Sequence, residues 1–301
     1  MKINNIQDLE IFVKTAECGG LSAAARVLDL SPAVVSAALK RLENNLNVAL
    51  LMRTTRSMRL TIEGEMFLHR CKPLVEGLRE AENLVNTGKA LVNGNLQISM
   101  PSDLGRNVVL PWLNEFQNKY PDVHLRVQIT DRVADVYRQP VDIALRYGVP
   151  PSSGLIAFPL VPDNRRVLCA APAYIKKYGN PKTPHDLMTH NCLCLMINET
   201  IYNTWRFWKN GEEVYVNVQG DRFSDDSDAV RRWATAGYGI IYRSYLDVAK
   251  DIRAGSLEIV CTDWIGEQFP LYLVCADRRF ITTTVRILRE FLEEKVAVIN
   301  N

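Results

Sequence analysis

Residues Leu21–Glu43 read LSAAARVLDLSPAVVSAALKRLE, and the organisation of the first ninety residues follows from this stretch. Ser22 is placed to cap a short helix over Ala23 to Leu28, whose small side chains allow close packing. Asp29 and Leu30 make a tight turn. Ser31 then caps a second helix with Pro32 at its first position, where a fixed φ and a missing N–H are tolerated. That helix runs to about Leu46 with Val35, Leu39 and Leu42 facing inward. A helix, a tight turn and a capped helix form the arrangement that lays the second helix in a major groove, its leading residues against base edges. Here those residues are Ser31, Pro32, Ala33 and Val34. Ser31 suits a phosphate or a base, and Ala33 and Val34 suit a thymine methyl. Ser22, Ser36 and Lys40 join them as candidate DNA contacts, with Ser36 and Lys40 on phosphates to set register.

Two short helices joined by a turn also occur in plain three-helix packing units, so the flanks decide between the readings. Upstream, Leu9, Phe12, Val13 and Ala16 recur at helical spacing before Gly19-Gly20 stops that helix. Downstream, Leu50 to Leu60 alternates as a small β wing with Arg53, Arg56 and Arg59 outside. From Lys40 to Arg59 there are five basic residues and one acid, Glu43, on a chain whose net charge is only +2. A local basic surface on a near-neutral chain is expected where one part touches phosphate and the rest does not.

From Thr61 to about Lys89 the pattern is one long helix. Phe67, Cys71, Leu74, Leu78, Ala81 and Val85 follow at steps of four and three, a seam for packing against a partner helix. Pro73 falls inside it, at a kink or where a hydrogen bond can be lost. Beyond the turn at Asn93-Gly94-Asn95 the period changes to two, as in Leu96, Ile98 and Met100, then Val123 to Ile129, then Val141 to Leu145. Strands and helices alternate to the end, which predicts an α/β fold with largely parallel sheets. About 200 residues exceed what one sheet needs, so two lobes are expected.

Composition excludes several classes. The 301 residues are 47% hydrophobic and 23% charged, an ordinary globular balance. No segment approaches the ~20 apolar residues that span a bilayer, and Met1 to Glu10 has no apolar signal core, so a cytoplasmic location without membrane contact is expected. Seven scattered cysteines read as reduced, mostly buried thiols. Cys192 and Cys194 form C-x-C in an expected strand, and opposite-facing thiols would chelate poorly. The four histidines lack zinc-like spacing. Asp225, Asp226 and Asp228 precede a helix and read as caps. Gly237 and Gly239 are too close, and in the wrong order of helix and strand, for a phosphate loop. No nucleophile–base pair stands out. No catalytic residue, metal or cofactor is therefore expected, and the chain does not read as an enzyme.

The run from Leu21 to Glu43, with Leu50 to Arg56 (LLMRTTR) and Arg59 to Gly64 (RLTIEG), resembles the N-terminal domain of LysR-type transcriptional regulators. Further matches to that family fall at Pro121 to Leu125, Val141 to Arg146, Ala171 to Tyr174 and Ala236 to Ile240, so the resemblance covers the whole chain. It implies a winged helix-turn-helix over 1–61, a dimerising linker helix over 62–90, and an effector-binding domain over 91–301 similar to type II periplasmic binding proteins. Lobe I would hold 91–162 and 268–301, and lobe II 163–267. The implied partners are double-stranded promoter DNA, a small-molecule effector, a homodimer or homotetramer, and RNA polymerase if the protein activates. Two departures stand out. Many members carry a polar residue at Pro32 and an arginine at Ala37, so base readout by this helix is thinner and more weight falls on the wing and on DNA shape. Asn47 replaces a common glycine, as a tolerated left-handed turn residue.

Two lobes require two chain crossings, placed near Leu160 to Asp163 and Trp264 to Phe269. Strand ends and helix starts would line the cleft between them, where backbone N–H groups favour anions. Ser102, Thr130, Asp131 and Arg146 are the candidates from one lobe, and Asn198, Thr200 and Ser224 from the other. Arg146 is the residue that points to an anionic effector, through a bidentate pair with a carboxylate. The alternatives are that Ser102 only caps the next helix and that Arg146 is salt-bridged to Asp131 or Asp142.

Overall fold

A computed structural model of the chain describes residues 5–53, 58–87, 92–132, 141–150, 155–197, 199–277 and 281–300. The chain divides into two compact units, Met1–Leu91 and Val92–Asn301.

The first unit is built on α1 (Ile6–Cys18), α2 (Leu21–Val27) and α3 (Pro32–Leu46), followed by a two-stranded ribbon of β1 (Leu51–Arg53) and β2 (Met58–Leu60) and by α4 (Ile62–Thr87). Its core joins Phe12 of α1, Ala25 of α2, Val35, Leu39 and Leu42 of α3, Leu50 beside the ribbon, and Cys71 and Val75 of α4. Two positions differ in detail from the sequence reading. Gly20, not Ser22, is the N-cap of α2, which begins at Leu21 without a side-chain cap, so Ser22 lies in the first turn with its side chain exposed. The seam of α4 is divided. Cys71 packs inward with Phe67 against it, whereas Leu74 is 54% exposed and Leu78 44%. Phe67 and Cys71 thus serve the unit's own core, and Leu74 and Leu78 do not. Pro73 sits within a continuous α4. Asn47 ends α3 with φ 57°, in the left-handed region. Among the described residues no single helix is long and apolar enough to cross a membrane.

The second unit begins with β3 (Gly94–Met100), the single turn α5 (Ser102–Leu104), a π-helical turn Gly105–Val109, α6 (Leu110–Lys119), β4 (Val123–Ile129), β5 (Ile143–Tyr147) and β6 (Ile156–Val161). It continues through β7 (Arg166–Ala170), α7 (Pro172–Tyr178), a 3-10 turn Pro184–Thr189, β8 (Cys194–Ile197), β9 (Thr200–Ile201), β10 (Thr204–Lys209), β11 (Glu212–Asn217) and β12 (Phe223–Ser224). Then follow α8 (Ser227–Thr235), β13 (Ile240–Ser244), α9 (Tyr245–Arg253), β14 (Glu258–Ile259), β15 (Ile265–Gly266), β16 (Leu271–Cys275) and α10 (Thr283–Asn300).

One five-stranded sheet has the order β4-β3-β5-β16-β6. It packs α6 and α10 through Leu113, Phe116, Leu288 and Leu292 into one core. The other half holds three small sheets, β13-β7-β14, β12-β8-β9 and β11-β10-β15, around Trp205, Phe207 and Tyr242. These are the two lobes. Their sheets are more mixed than expected. Strand β3 runs parallel to β4 and β5, but β16 runs antiparallel to β5 and β6, and β7 antiparallel to β13 and β14. Strand β16 arrives from the other lobe and enters the sheet against the direction of the strands already there.

The two connections between the lobes lie side by side. Arg165 bridges Gln268, the Phe269 N–H donates to the Asn164 carbonyl at 2.8 Å, and the Asn164 side chain donates to the Phe269 carbonyl at 2.6 Å. Cys192 and Cys194 join the same buried cluster while Leu193 joins another. This corrects the expectation of opposite-facing thiols, because residues two apart in a strand share a face.

Candidate DNA-reading surface and ligand cleft

In the first unit the leading turn of α3 combines a fixed backbone with exposed side chains. The Ser31 hydroxyl accepts the Val34 N–H at 3.3 Å, a cap that stabilises a helix by about 1 kcal/mol and still leaves the hydroxyl proton to donate. Ser31, Pro32, Ala33 and Val34 are all exposed. Val34 is 48% exposed, in contrast to the sealed Val35 beside it. Lys40 is exposed nearly two turns beyond Val34 and Ser36 is half-buried.

The ribbon is held against α3 by the one acid of the basic stretch. Glu43 Oε1 accepts the N–H groups of Leu50 and Leu51 at 2.8 and 3.0 Å. The far side is fixed by Thr61, whose N–H donates to the Leu50 carbonyl at 3.0 Å and whose hydroxyl donates to the Ala49 carbonyl at 2.8 Å. Gly64 closes this corner: a Cβ there would lie 2.0 Å from the Leu50 carbonyl oxygen, so only glycine fits. On the ribbon Met52 pairs with Arg59 and Arg53 with Met58, and Arg59 is exposed. Arg53 belongs to β1, and the Arg56 position lies outside the described residues. The basic stretch is not uniform, however. Arg41 makes a bidentate pair with the buried Asp8 of α1, at 2.8 and 2.5 Å, so it serves the core of the unit.

In the second unit the structure brings Ser102 and Asp131 together and adds a partner that the sequence did not single out. Asp131 follows β4, and its carboxylate accepts the Ser102 N–H at 2.9 Å and the Ser102 hydroxyl. It also accepts the N–H of Ser227, the first residue of α8 in the other lobe, at 2.6 Å. The same N–H lies 2.8 Å from the Ser102 hydroxyl oxygen. Ser102 is not a side-chain cap of the turn it begins. Arg146 is partly buried, donating to the Ser99 hydroxyl at 2.8 Å and to the Leu145 carbonyl at 3.0 Å. Its Nε is buried without a hydrogen-bond partner. Burial lowers its pKa, and the nearby Asp131 charge opposes that shift.

The remaining predicted residues hold local structure. The Thr130 hydroxyl accepts the Arg132 N–H at 3.2 Å and the Ser224 hydroxyl accepts the Asp226 N–H at 3.1 Å. Thr200 lies exposed on the β8–β9 hairpin, paired with Ile197. Asn198 lies outside the described residues. Asp226 caps α8 by accepting the Asp228 and Ala229 N–H groups, as its place before a helix implied.

Around Ser102 and Asp131 the lobes meet through charge. Arg106 forks onto Asp226 at 2.9 and 2.8 Å, Asn107 reaches Asp228 at 2.8 Å, and the Tyr147 hydroxyl donates to Asp247 at 2.6 Å. Asp103 is fully buried. Its Oδ1 takes Arg231 and Asn107 at 2.8 Å, while Oδ2 has no hydrogen bond and only a 3.9 Å ion pair with Arg243. Burial, then repulsion from Asp247, pushes the Asp103 pKa up to about 7 against the pull of Arg243 and Arg231. None of the contacts between the lobes was legible in sequence, since their partners are 100 or more residues apart. A separate cavity of about 310 Å³ lies in the second lobe between Arg165, Phe207, Tyr242, Trp264 and Ile265. Its walls include none of the predicted ligand residues.

A capped helix with an exposed leading turn, braced by a small ribbon, and a two-lobed module define a helix-turn-helix regulator with a ligand-binding half. Residues 6–65 match the model of the bacterial regulatory helix-turn-helix protein, lysR family, and residues 89–297 match the LysR substrate binding domain. The chain belongs to the LysR family of transcriptional regulators. It is 32% identical to the probable HTH-type transcriptional regulator LtrA of Klebsiella pneumoniae, over 100% of this chain and 97% of that protein. It is also 32% identical to the HTH-type transcriptional regulator DmlR of Escherichia coli K12, over 97% and 94%. Among solved structures it resembles CrgA, a LysR-type regulator from Neisseria meningitidis, with TM-score 0.61 and 28% identity over 99% of this chain and 100% of that one. Full-length AphB, a virulence activator of Vibrio cholerae, superposes with TM-score 0.57 at 26% identity over 96% and 98%.

Proposed function

We propose that the chain is a cytoplasmic transcription factor whose α3 leading turn reads promoter DNA and whose second unit holds an anionic small molecule between its lobes. Ser31, Pro32, Ala33 and Val34 meet base edges; Ser22, Ser36, Lys40, Arg53 and Arg56 contact the backbone, joined by the exposed Arg59. The observation that carries this reading is the contrast within one turn of α3, where the four leading residues are exposed and Val35 is sealed. An exposed, apolar, capped turn beside a braced basic ribbon suits a groove and serves no purpose in a packing unit. Ser102 and Arg146 are the proposed effector contacts, with Asp131 beside them and Thr130, Thr200 and Ser224 at the rim. Residues 1–61, 62–90 and 91–301 are the proposed DNA-binding, linker and effector segments. A homodimer or homotetramer forms through α4, where Leu74 and Leu78 are unpaired with the unit's own core. Where the protein activates, RNA polymerase is a further partner.

Genome-wide footprinting of the purified protein tests the DNA reading and finds the operator. Discrete protected sites are expected; uniform, sequence-independent protection contradicts it. Titration with a metabolite panel then tests the effector reading.

A further inference from the structure

The Asp131 carboxylate is held as a bound small carboxylate would be. It takes two backbone N–H groups and one hydroxyl, with donors from both lobes: Ser102 N–H at 2.9 Å, Ser227 N–H at 2.6 Å, and the Ser102 hydroxyl. The Ser227 N–H is the first of α8, where unpaired N–H groups and the helix dipole favour negative charge. The next two N–H groups are taken by Asp226, the first of them also lying 3.4 Å from the Ser102 hydroxyl oxygen, and the Ser227 N–H is the one that the Asp131 carboxylate engages from across the lobes. The partly buried guanidinium of Arg146 spends two nitrogens on Leu145 and Ser99 and keeps its Nε unpartnered, with no direct ion pair to Asp131. Two N–H donors and a hydroxyl, drawn from both lobes, make a carboxylate-recognition set. It is filled by the chain itself.

Resting on the reading of this cleft as the effector site, we propose that Asp131 is a built-in stand-in for the effector's carboxylate. An anionic ligand therefore binds by exchange: its carboxylate takes the Ser102 and Ser227 donors while Asp131 swings out. Two consequences follow. Without effector, Asp131 ties Ser102 of one lobe to α8 of the other, so the lobes stay docked. The effector's affinity is also lowered by the strength of the bonds it must replace, and these are charge-assisted hydrogen bonds. Removing the side-chain carboxylate removes that competition.

Acetate tests the exchange because it replaces only the missing group. The full-length Asp131→Ala protein is titrated with sodium acetate by calorimetry and followed by thermal melting, with sodium chloride at matched ionic strength as control. Saturable acetate binding and an acetate-dependent rise in Tm are expected in the variant and not in the wild type. The Ser102→Ala/Asp131→Ala double variant is expected to lose both. Equal responses of wild type and Asp131→Ala, or a double variant that still responds, overturn the proposal. Should Asp131→Ala fail to fold, Asp131→Asn serves. It keeps one acceptor but no charge, so the charge-assisted bonds that acetate must replace are weakened, and saturable acetate binding is expected where the wild type shows none; the same response as wild type overturns the exchange. Failure with acetate leaves the effector reading itself standing, since that is tested separately by metabolite titration of the wild type.

Discussion

Arg41 grips Asp8 with both arms of its guanidinium, at 2.8 and 2.5 Å, although Asp8 is only 1% exposed and thirty-three residues away. Its neighbour Lys40 faces solvent. Adjacent cations on one helix thus have different roles. Lys40→Ala is expected to weaken DNA binding across all sequences and reduce the slope of log K against log salt by about one. Arg41→Ala is expected to lower Tm, since it strips a buried carboxylate of its partner. Anisotropy at several salt concentrations and a thermal melt separate the two; a Lys40→Ala protein with unchanged salt slope contradicts the assignment.

The ribbon depends on a corner without room for a side chain. Gly64→Ala would place a Cβ 2.0 Å from the Leu50 carbonyl oxygen, and Leu50 is a core residue. Overpacking of this kind costs about 1–3 kcal/mol. A clear fall in Tm together with weaker DNA binding is expected; a variant with wild-type melting and affinity would show that α4 and the ribbon move apart freely.

Much of this was readable in advance. The capped start of α3, the left-handed Asn47 and the change of period after Gly94 are local signals, carried by residues within a few positions of one another. Strand β6 was missed, since Pro159 and the expected crossing masked its pattern. Asp226 was read correctly as a cap because capping is local. Ser227 was not singled out because its value comes from a backbone N–H that meets a lobe 96 residues earlier in sequence. The division of the α4 seam was equally hidden. Periodicity identifies an apolar face but not whether the chain's own core or a second copy covers it.

That division makes a prediction about assembly. Leu78 is 44% exposed, so a charge there leaves the unit's own core intact. Leu78→Glu is expected to sediment as a monomer with unchanged melting of the second unit. Persistence of the dimer places the interface elsewhere.

Asp103 links the lobes to pH. Burial and Asp247 raise its folded pKa from 3.8 to about 7, so the folded state holds a proton that the unfolded chain releases. Stability from this group is present at low pH and is lost as pH rises from about 4 through about 7. Wild-type Tm is therefore expected to carry a falling contribution from this group between about pH 4 and about pH 7, and Asp103→Asn, which cannot ionise, to lack it. Parallel profiles for the two proteins would assign the pH dependence to other groups.

The central claim is that the first turn of α3 reads sequence, and Val34→Glu tests it most directly. Val34 lies outside the core, so the variant is expected to fold, while on the proposed reading the new charge would meet the bases and phosphates. Anisotropy of the full-length protein on a footprinted promoter fragment and on a scrambled duplex of equal length gives the ratio of the two affinities. A ratio well above one is expected for wild type and close to one for Val34→Glu. A folded Val34→Glu protein that keeps the wild-type ratio would contradict it.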